Sequence, residues 1–404
     1  MRVRTGKQRG EASRAGGPPA TSEQAPGRPR ALALTDLLIV GAGPAGCAAA
    51  VAARRAVPSL RVMVIDAARF PRDKLCAGAI SGGGLRELAA AGLLLRVPHA
   101  VATHAVVKCE GKASRVPLPY PSAVVRRLEF DADLLSQVRA SGAVVLEGVA
   151  LHGLAGSVAQ TSSGAIRYRA LIAADGVGGA SRRSLGLPAG VRVPVREVHL
   201  ESARQQDLFF DLDAGMPGYV WRFPCLKGAC LSETSGVFAA VRGAKVGPAL
   251  ERFFQREDLA VAAPERGAIR LFEPGGAVGK GTALLAGEAL GVDPLAGEGI
   301  RYALWSGRIA GRRSVRALER GRAPSLLGYR TALRASHSGV VLELAARLAK
   351  RLYGPNARYR QLAADRRVAE FLAALISGDG KAGVWLRLAV QLPSIWAAAG
   401  APTV

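Results

Sequence analysis

Residues 35–55, TDLLIVGAGPAGCAAAVAARR, constrain the fold more than any other part of the chain. The apolar run 37–40 predicts a buried parallel strand, and it leads directly into a glycine-rich turn and an alanine-rich helix. In such a unit Gly41 permits the turn, Gly43 lets the backbone approach a pyrophosphate, and Gly46 lets the helix pack closely on the strand. The free N–H groups at the helix N-terminus then face the phosphates. This stretch therefore predicts a dinucleotide site.

An acidic residue follows at the distance that such a site requires. A second predicted strand, residues 60–65, ends at Asp66, twenty residues beyond Gly46. A carboxylate there can accept hydrogen bonds from an adenosine ribose, and it favours a free 2′-hydroxyl, so we expect FAD or NAD rather than NADP. The glycine motif alone also occurs in structural turns. Strand, helix and acid together favour the dinucleotide.

Length and composition indicate an ordered protein with more than one domain. The chain has 404 residues, of which 49% are hydrophobic. Five cysteines form no CxxC pair and no secretory signal is visible, so we expect a reducing cytoplasm. Residues 1–33 are rich in Arg, Gly, Pro, Ser and Ala without hydrophobic periodicity, which predicts a disordered basic extension.

The net charge of +24 is concentrated toward the C-terminal side. Residues 301–367 hold sixteen Lys or Arg residues against three acids. Two interpretations stay open: solvated arginine-rich helix faces, or attraction to an anionic membrane surface. We do not expect a nucleic-acid partner, since no recognition motif accompanies the charge.

Residues 67–81, AARFPRDKLCAGAIS, predict an irregular loop that feeds a helix over residues 82–90. Such a loop would run along the dinucleotide, with Cys76, Ala77 and Gly78 close to it. From residue chemistry alone, Cys76 is more typical of a small buried hydrophobe than of a catalytic group.

GAGPAG, Asp66 and FPRDKLCAGAIS together resemble the geranylgeranyl reductase family of flavoproteins, within the p-hydroxybenzoate hydroxylase-like group. The family loop usually reads PRxKxCGG, so Ala77 replaces a glycine. The resemblance implies FAD as cofactor and places Cys76, the candidate catalytic residue, near the flavin. The cofactor-binding residues that it implies in this half of the chain are Gly41, Gly43, Ala45, Gly46, Asp66, Lys74, Ala77 and Gly78.

Three further motifs are similar to those of the family and follow in its order. RRLEFD, before a helix predicted over residues 132–141, carries Arg127, which the resemblance places near the flavin; an exposed arginine at a helix start is the alternative. AADGVGG resembles the family's Asp-Gly motif. GEALGVDPLAGEGI, residues 287–300, resembles GDAxGxxxPxxGEGI, but it is one residue shorter before the proline and has Glu288 for the usual Asp. The implied cofactor-binding residues are Arg127, Asp175, Gly287, Glu288, Gly297, Gly299 and Ile300.

Residues 217–224, PGYVWRFP, lie in a region of short predicted strands between residues 189 and 268. Tyr219, Trp221 and Phe223 are spaced by two, so on a strand they share one face and form an aromatic wall. Core packing is the usual role of such a stripe. The family carries YxWxFP here, unlike the WxWxIP of flavin-dependent halogenases. The resemblance implies that Tyr219, Trp221, Phe223 and Pro224 bound a long apolar substrate pocket.

We therefore expect an α/β fold: a discontinuous Rossmann-like FAD-binding domain with an inserted antiparallel β-rich substrate domain and C-terminal helices. The expected ranges are 34–95, 123–188 and 270–335 for the FAD-binding domain, 96–122 and 189–269 for the substrate domain, and 336–404 for the helical region. Near the C-terminus, the apolar run 384–396 either packs on the substrate domain or contacts a membrane through Trp385 and Trp396.

The resemblance implies reduction of an isolated C=C bond in a prenyl lipid by hydride from reduced flavin. The chain has one dinucleotide fingerprint, so NADPH or ferredoxin would have to reduce the flavin at a transient surface. No histidine falls in a motif, which leaves water or Cys76 as proton source, and we expect no metal site. Two alternatives stay open: an FAD-dependent aromatic monooxygenase, and a non-catalytic prenyl-binding protein on the same fold.

Overall fold

The computed structural model of the protein describes residues 33–201, 203–259, 263–353, 369–370 and 373–374. The N-terminal extension, apart from residue 33, and the run 384–396 lie outside the described residues, so the expectations for them stay predictions. The strands are β1 Ala33–Leu34, β2 Leu37–Val40, β3 Val62–Asp66, β4 Ala79–Ile80, β5 His99–Cys109, β6 Lys112–Val125, β7 Val144–Glu147, β8 Leu151–Ala155, β9 Val158–Thr161, β10 Gly164–Arg167, β11 Ala170–Ala173, β12 Arg192–Leu200, β13 Leu208–Asp211, β14 Gly218–Lys227, β15 Cys230–Ala239, β16 Glu265–Arg270, β17 Gly279–Lys280 and β18 Ala283–Leu285. The helices are α1 Pro44–Ala56, α2 Gly82–Ala91, α3 Arg127–Ala140, α4 Ala180–Ser184, α5 Val246–Arg256, α6 Ile300–Glu319, α7 Leu326–Arg334 and α8 His337–Leu352, with a 3₁₀ turn at Gly287–Ala289.

A six-stranded sheet in the order β17-β18-β11-β2-β3-β7 forms the first layer. Strand β2 lies between β11 and β3 and is parallel to both. Leu37, Leu38 and Ile39 have no solvent exposure, because helices and strands cover both faces of this strand. A continuous apolar run is what a strand buried on both faces requires, and the parallel strand predicted from it is present.

An eight-stranded sheet in the order β16-β12-β15-β14-β13-β5-β6-β4 forms a second layer with its own hydrophobic core. Its pairs are antiparallel except for β13 with β5, which run parallel. Helix α5 lies within the region for which the sequence suggested only short strands. It buries Val246, Leu250, Phe253 and Phe254. A small third sheet has the order β1-β10-β9-β8.

Most element boundaries agree with the sequence interpretation to within a few residues, with one difference that affects the site. Helix α3 begins at Arg127, five residues before the expected start at 132. Arg127 and Asp131 therefore lie one turn apart on the same helix face. The expected domain boundaries stay a prediction. Within the described part of the chain, no helix has the length and apolarity needed to cross a bilayer.

Helices α1 and α6 approach each other closely because two glycines of α6 lack side chains. A Cβ at Gly307 would lie 2.0 Å from the carbonyl oxygen of Ala45, and one at Gly311 would lie 2.4 Å from that of Ala49. Both obstacles are backbone atoms of the alanine-rich helix α1. The small residues of both helices therefore fix the position of α6 against α1.

Replacing Gly307 with Ala tests this packing, because helix propensity and the backbone clash change the stability of the protein in opposite directions. Helix propensity alone would favour the alanine by about 1 kcal/mol. The clash with backbone should reverse that sign and destabilise the protein by about 1–3 kcal/mol. We expect Gly307→Ala to lower the midpoint of thermal unfolding. Gly153→Ala is the control, since a Cβ at Gly153 meets no atom within 4 Å. An unchanged or higher midpoint in Gly307→Ala would contradict the close packing.

Candidate functional site

A cavity of about 650 Å³ lies where the two larger sheets meet. Gly41 and Asp66, at the carboxyl ends of β2 and β3, line one part of it, and Val195 and Tyr219 of the eight-stranded sheet line another. The carboxyl ends of parallel strands are where open α/β sheets bind their ligands. The position and size of the cavity therefore suit a cofactor together with a substrate.

Segments far apart in the sequence meet at this cavity. The structure places these candidate residues in its lining: Gly41, Gly43, Ala45, Asp66, Lys74, Cys76, Ala77, Gly78, Arg127, Asp175, Tyr219, Trp221, Phe223, Gly287, Glu288, Gly297, Gly299 and Ile300. Gly46 and Pro224 lie outside the lining. A Cβ at Gly46 would lie 1.8 Å from the oxygen of Gly41, so this glycine serves the turn itself. Pro224 follows Phe223 on β14 and so points to the opposite face of the sheet.

The turn after β2 leaves open space where a phosphate would bind. Gly41 has a φ of +104°, and a Cβ there would lie 2.3 Å from the oxygen of Ala174. At Gly43 a Cβ would meet only the Arg72 guanidinium, at 3.8 Å. The first residues of α1 and α6, Pro44 and Ile300, both line the cavity. Two helix N-termini thus direct their positive dipole ends and free amides toward it.

The carboxylate of Asp66 is held at the end of β3 by two backbone amides. Ala42 N–H donates to Oδ2 at 2.7 Å, and Ala68 N–H donates to Oδ1 at 2.8 Å. These bonds fix the orientation of the carboxylate, and each oxygen keeps a further lone pair. Asp66 can therefore accept hydrogen bonds from the hydroxyls of a ribose.

Glu288 and Asp175, which also line the cavity, each have a buried oxygen without a hydrogen-bond partner among the described residues. Glu288 Oε2 accepts from Lys74 Nζ at 3.0 Å, while its buried Oε1 has no hydrogen-bond partner among the described residues. Asp175 Oδ2 accepts from Ser181 N–H at 2.8 Å, and its buried Oδ1 is likewise without a partner in the described part of the chain. Burial raises the pKa of Asp175. Buried acceptors without protein partners fit a ligand rich in hydroxyls, such as the ribityl chain of FAD.

Arg127 belongs to a buried ion pair beside Cys76. Its Nε and Nη2 donate to Asp131 at 2.7 and 2.6 Å, and Arg72 Nη1 contacts the same carboxylate at 2.9 Å. Arg127 is only 6% exposed, so the alternative of an exposed helix-start arginine is wrong. Burial alone would lower the pKa of Arg127, but the charge of Asp131 and the contact with Cys76 outweigh it and raise the pKa. The cavity therefore keeps a fixed positive charge beside the cysteine.

The aromatic wall is larger than the sequence indicated. Phe210 lies 5.3 Å from Tyr219 and 5.1 Å from Phe223, and Phe238 lies 5.3 Å from Tyr219, all between ring centroids. The Tyr219 hydroxyl donates to the Ala296 carbonyl at 2.5 Å, and the Trp221 indole donates to Thr234 Oγ1 at 3.2 Å. Their polar atoms are thus satisfied by protein, and the rings present apolar surface to the cavity.

The lining residues that were not predicted from the sequence include Phe210, Phe238 and Glu197. Each occupies a position on β13, β15 or β12 whose side chain faces the cavity. Period-two alternation was the available signal, because residues at every second position of a strand share a face. Without the strand register, that signal does not show which face meets the cavity.

The chain is similar to proteins that are named as reductases. A menaquinone reductase of Mycolicibacterium smegmatis is 30% identical over 314 residues, which cover 68% of this chain and 75% of the relative.

The chain belongs to the geranylgeranyl reductase family of FAD-dependent oxidoreductases.

A second relative is the digeranylgeranylglycerophospholipid reductase 1 of Methanopyrus kandleri, which is 29% identical over 70% of this chain and 81% of its own length. Among solved structures, a geranylgeranyl bacteriochlorophyll reductase-like protein of Thermoplasma acidophilum matches with a TM-score of 0.73 over 90% of this chain and 98% of its own, at 19% identity, which shows the fold alone. No protein-family model matches the chain. As a member of the geranylgeranyl reductase family, the protein is an oxidoreductase with a flavin cofactor.

Gly43→Val tests the assignment of the glycine turn to the cofactor. The open space at Gly43 should accept the side chain without strain in the apoprotein, but the side chain would occupy the place of the pyrophosphate. We expect at least a tenfold loss of bound flavin, measured by visible absorbance, with an unchanged unfolding midpoint of the apoprotein. Gly153→Ala should keep its flavin. Full flavin content in Gly43→Val would contradict the assignment.

Proposed function

We propose that this protein reduces isolated C=C bonds in the polyprenyl chain of a lipid or quinone. The observation that carries the proposal is that one continuous cavity has a polar part and an aromatic part. Glycine turns, helix N-termini and acids line one part, and Tyr219, Trp221, Phe223, Phe210 and Phe238 line another. Menaquinone and digeranylgeranylglycerophospholipid, which appear in the names of the relatives, have different head groups and share a polyprenyl chain. The shared chain is therefore the better candidate for what such a cavity recognises.

The bound flavin would supply a hydride, and the residues of this chain would supply position and a dry environment. An isolated alkene offers no polar group for recognition, so its place must be set by burial against apolar surface, at about 25 cal/mol per Å². The aromatic wall provides that surface. The Arg127–Asp131 pair would hold the Cys76 loop beside the cofactor, and the acids and amides of the turns would hold the cofactor itself. Catalysis would then rest mainly on positioning.

We further propose that the flavin receives its electrons at a transient surface. Among the described residues, one GxGxxG turn follows a strand and precedes a helix, at residues 41–46, and the FAD would occupy it. NADPH or a ferredoxin would therefore have to approach the flavin from outside. Stopped-flow measurement of the rate of flavin reduction, with NADPH and separately with reduced ferredoxin, distinguishes the two donors.

The direct test supplies electrons chemically. We expect anaerobic, dithionite-reduced enzyme to convert menaquinone or digeranylgeranylglycerophospholipid into products heavier by two mass units per reduced double bond. The mass is measured by mass spectrometry after any quinol has been reoxidised in air, and it is compared with an enzyme-free sample treated with dithionite. No mass increase with either acceptor would refute the proposal. NADPH oxidation accelerated by phenols, with hydroxylated product, would instead establish an aromatic monooxygenase.

Two neighbouring phenylalanines give a matched test of the wall. Phe210 lines the cavity, whereas Phe209 faces the other side of β13 and packs 6.4 Å from Phe253. Both substitutions to alanine should destabilise the protein, because each removes a packed ring. Only Phe210→Ala should raise the KM for the prenyl acceptor, by about tenfold, which corresponds to about 1.4 kcal/mol of lost binding. Equal effects of Phe209→Ala and Phe210→Ala on KM would exclude a specific role of the wall.

We also propose that the enzyme works on the cytoplasmic side at an anionic membrane surface, where its lipid substrate resides. Arg312 and Arg316 are exposed on α6, Arg320 is exposed directly after this helix, and Leu327 of α7 is 75% exposed. Burial, followed by repulsion from Arg308 and Arg316, lowers the pKa of Arg312, which indicates a concentrated positive charge. Each basic residue near an anionic surface contributes about 1 kcal/mol to binding.

Vesicle sedimentation tests this surface. We expect binding to phosphatidylserine-containing vesicles, little binding to phosphatidylcholine vesicles, and at least a tenfold weaker affinity for the anionic vesicles in the double variant Arg312→Glu/Arg316→Glu. Lys112→Glu/Arg266→Glu makes the same charge change at exposed positions on β6 and β16 and is the control. Equal losses in both double variants would indicate a response to net charge alone.

A further inference from the structure

Glu197 is a buried carboxyl group that faces the candidate substrate part of the cavity. It lies on β12, is 2% exposed and lines the cavity. The strand register places Glu197 opposite Gly236 of β15, and Gly236 opposite Trp221 of β14. Directly opposed residues of antiparallel strands point to the same side of a sheet, so Glu197 and Trp221 share the cavity face.

The missing side chain of Gly236 brings these two residues together. A Cβ at Gly236 would lie 2.3 Å from Cζ2 and 2.6 Å from Cη2 of Trp221, so the indole ring covers the glycine and extends toward Glu197. The carboxyl group therefore stands at the border of the aromatic wall, where a chain lying along Trp221 would pass it.

On its other side, Glu197 faces the loop that carries Cys76. The backbone N–H of Cys76 donates to the carboxyl group, while the buried Oε2 has no hydrogen-bond partner in the described residues. His199 Nε2 lies 3.6 Å from Oε1, and its side chain is 42% exposed. The loop thus holds the carboxyl group in place on one side of the cavity, and Oε2 is a buried oxygen with no hydrogen-bond partner among the described residues.

The groups around Glu197 favour its protonated form. Burial raises the pKa of Glu197 to about 8, with additional contributions from the negative charges of Asp73 on the loop and Glu265 on β16. The Cys76 amide and Arg127 of α3 act in the opposite direction. Further titratable groups near Glu197 include His199 on β12, Cys225 on β14 and Cys76 on the loop. Glu197 therefore carries a proton at neutral pH and loses it as the pH rises above about 8.

We propose that Glu197 is the general acid that protonates one carbon of the prenyl double bond, an inference that rests on the proposed function. The O–H bond of Glu197 breaks as a new C–H bond forms at one alkene carbon. The other carbon accepts the hydride that reduced flavin supplies, so the alkene gains two electrons and the flavin is oxidised. Glu197 recovers its proton from solvent. Two observations favour Glu197 over Cys76, which faces Arg127: Oε2 of Glu197 has no hydrogen-bond partner in the described part of the chain, and Glu197 lies on the same sheet face as Trp221.

Glu197→Gln removes the proton while it keeps the shape of the side chain and an acceptor for the Cys76 amide. We expect normal flavin content, normal rates of flavin reduction by dithionite, and a loss of prenyl reduction of about 10²–10⁴-fold, as removal of a general acid produces. Glu265→Gln removes the exposed carboxylate of the neighbouring strand and should keep its turnover at pH 6.5. Cys76→Ala, assayed in parallel, identifies the cysteine as the acid if it alone shows the large loss.

A second measurement needs no turnover. Infrared difference spectra of the wild type between pH 6 and 10 should show a protonated-carboxyl band that disappears with a midpoint near 8, is absent in Glu197→Gln, and shifts to lower pH in Glu265→Gln. If the wild type reduces the acceptor but Glu197→Gln does so at the same rate, or if the band is missing, Glu197 is not the acid. If the wild type itself gives no mass increase, the proposed function fails instead.

Discussion

The close approach of backbone at the end of β2 is the constraint on which the rest of the site depends. The turn at Gly41 passes so near Ala174 that only a glycine with positive φ fits. Gly43, the N-cap of α1, then has open space on the side where a Cβ would lie. Helix α6 lies against α1 through Gly307 and Gly311, which places the N-terminus of α6 at the same cavity. Missing side chains at a few positions thus bring two helix dipoles to one ligand site.

The buried charges of the site divide into those that the protein satisfies and those that it leaves for a ligand. Arg127 and Asp131 are paired by two hydrogen bonds, and a paired buried charge has a fixed position. Glu288 and Asp175, in contrast, each keep a buried oxygen with no partner among the described residues. An unpaired buried oxygen costs about 1–3 kcal/mol, which a bound hydroxyl would recover.

Local features of the site could be predicted from the sequence, and features that depend on register could not. The central strand, the turn, α1 and the acid at Asp66 follow from contiguous residues, because the strand's continuous apolar run and the glycine spacing are local signals. Helix α5 also had a local signal, because its apolar residues recur at helical spacing: Val246, Leu250, Phe253 and Phe254. The segments on both sides of it have strand-like patterns, so the sequence interpretation treated the whole region as strands. The contact of Gly236 with Trp221 depends on the pairing of two strands and had no sequence signal.

Glu197 shows why the missing features are concentrated at the functional site. An acidic residue at a buried position of a strand breaks the alternation of hydrophobic and polar residues. An interpretation based on that pattern therefore predicts the acid to be exposed, or does not consider it. Its burial becomes understandable only when Trp221 on one side and the Cys76 loop on the other are in place. Together they shield the carboxyl group from water, and its Oε2 has no hydrogen-bond partner among the described residues. Burying a carboxyl group without full pairing is costly to folding unless it is protonated. An alkene cannot attract a proton by charge or by hydrogen bonding. A protonated carboxyl group fixed beside the apolar wall would therefore place a proton close to the double bond that needs it.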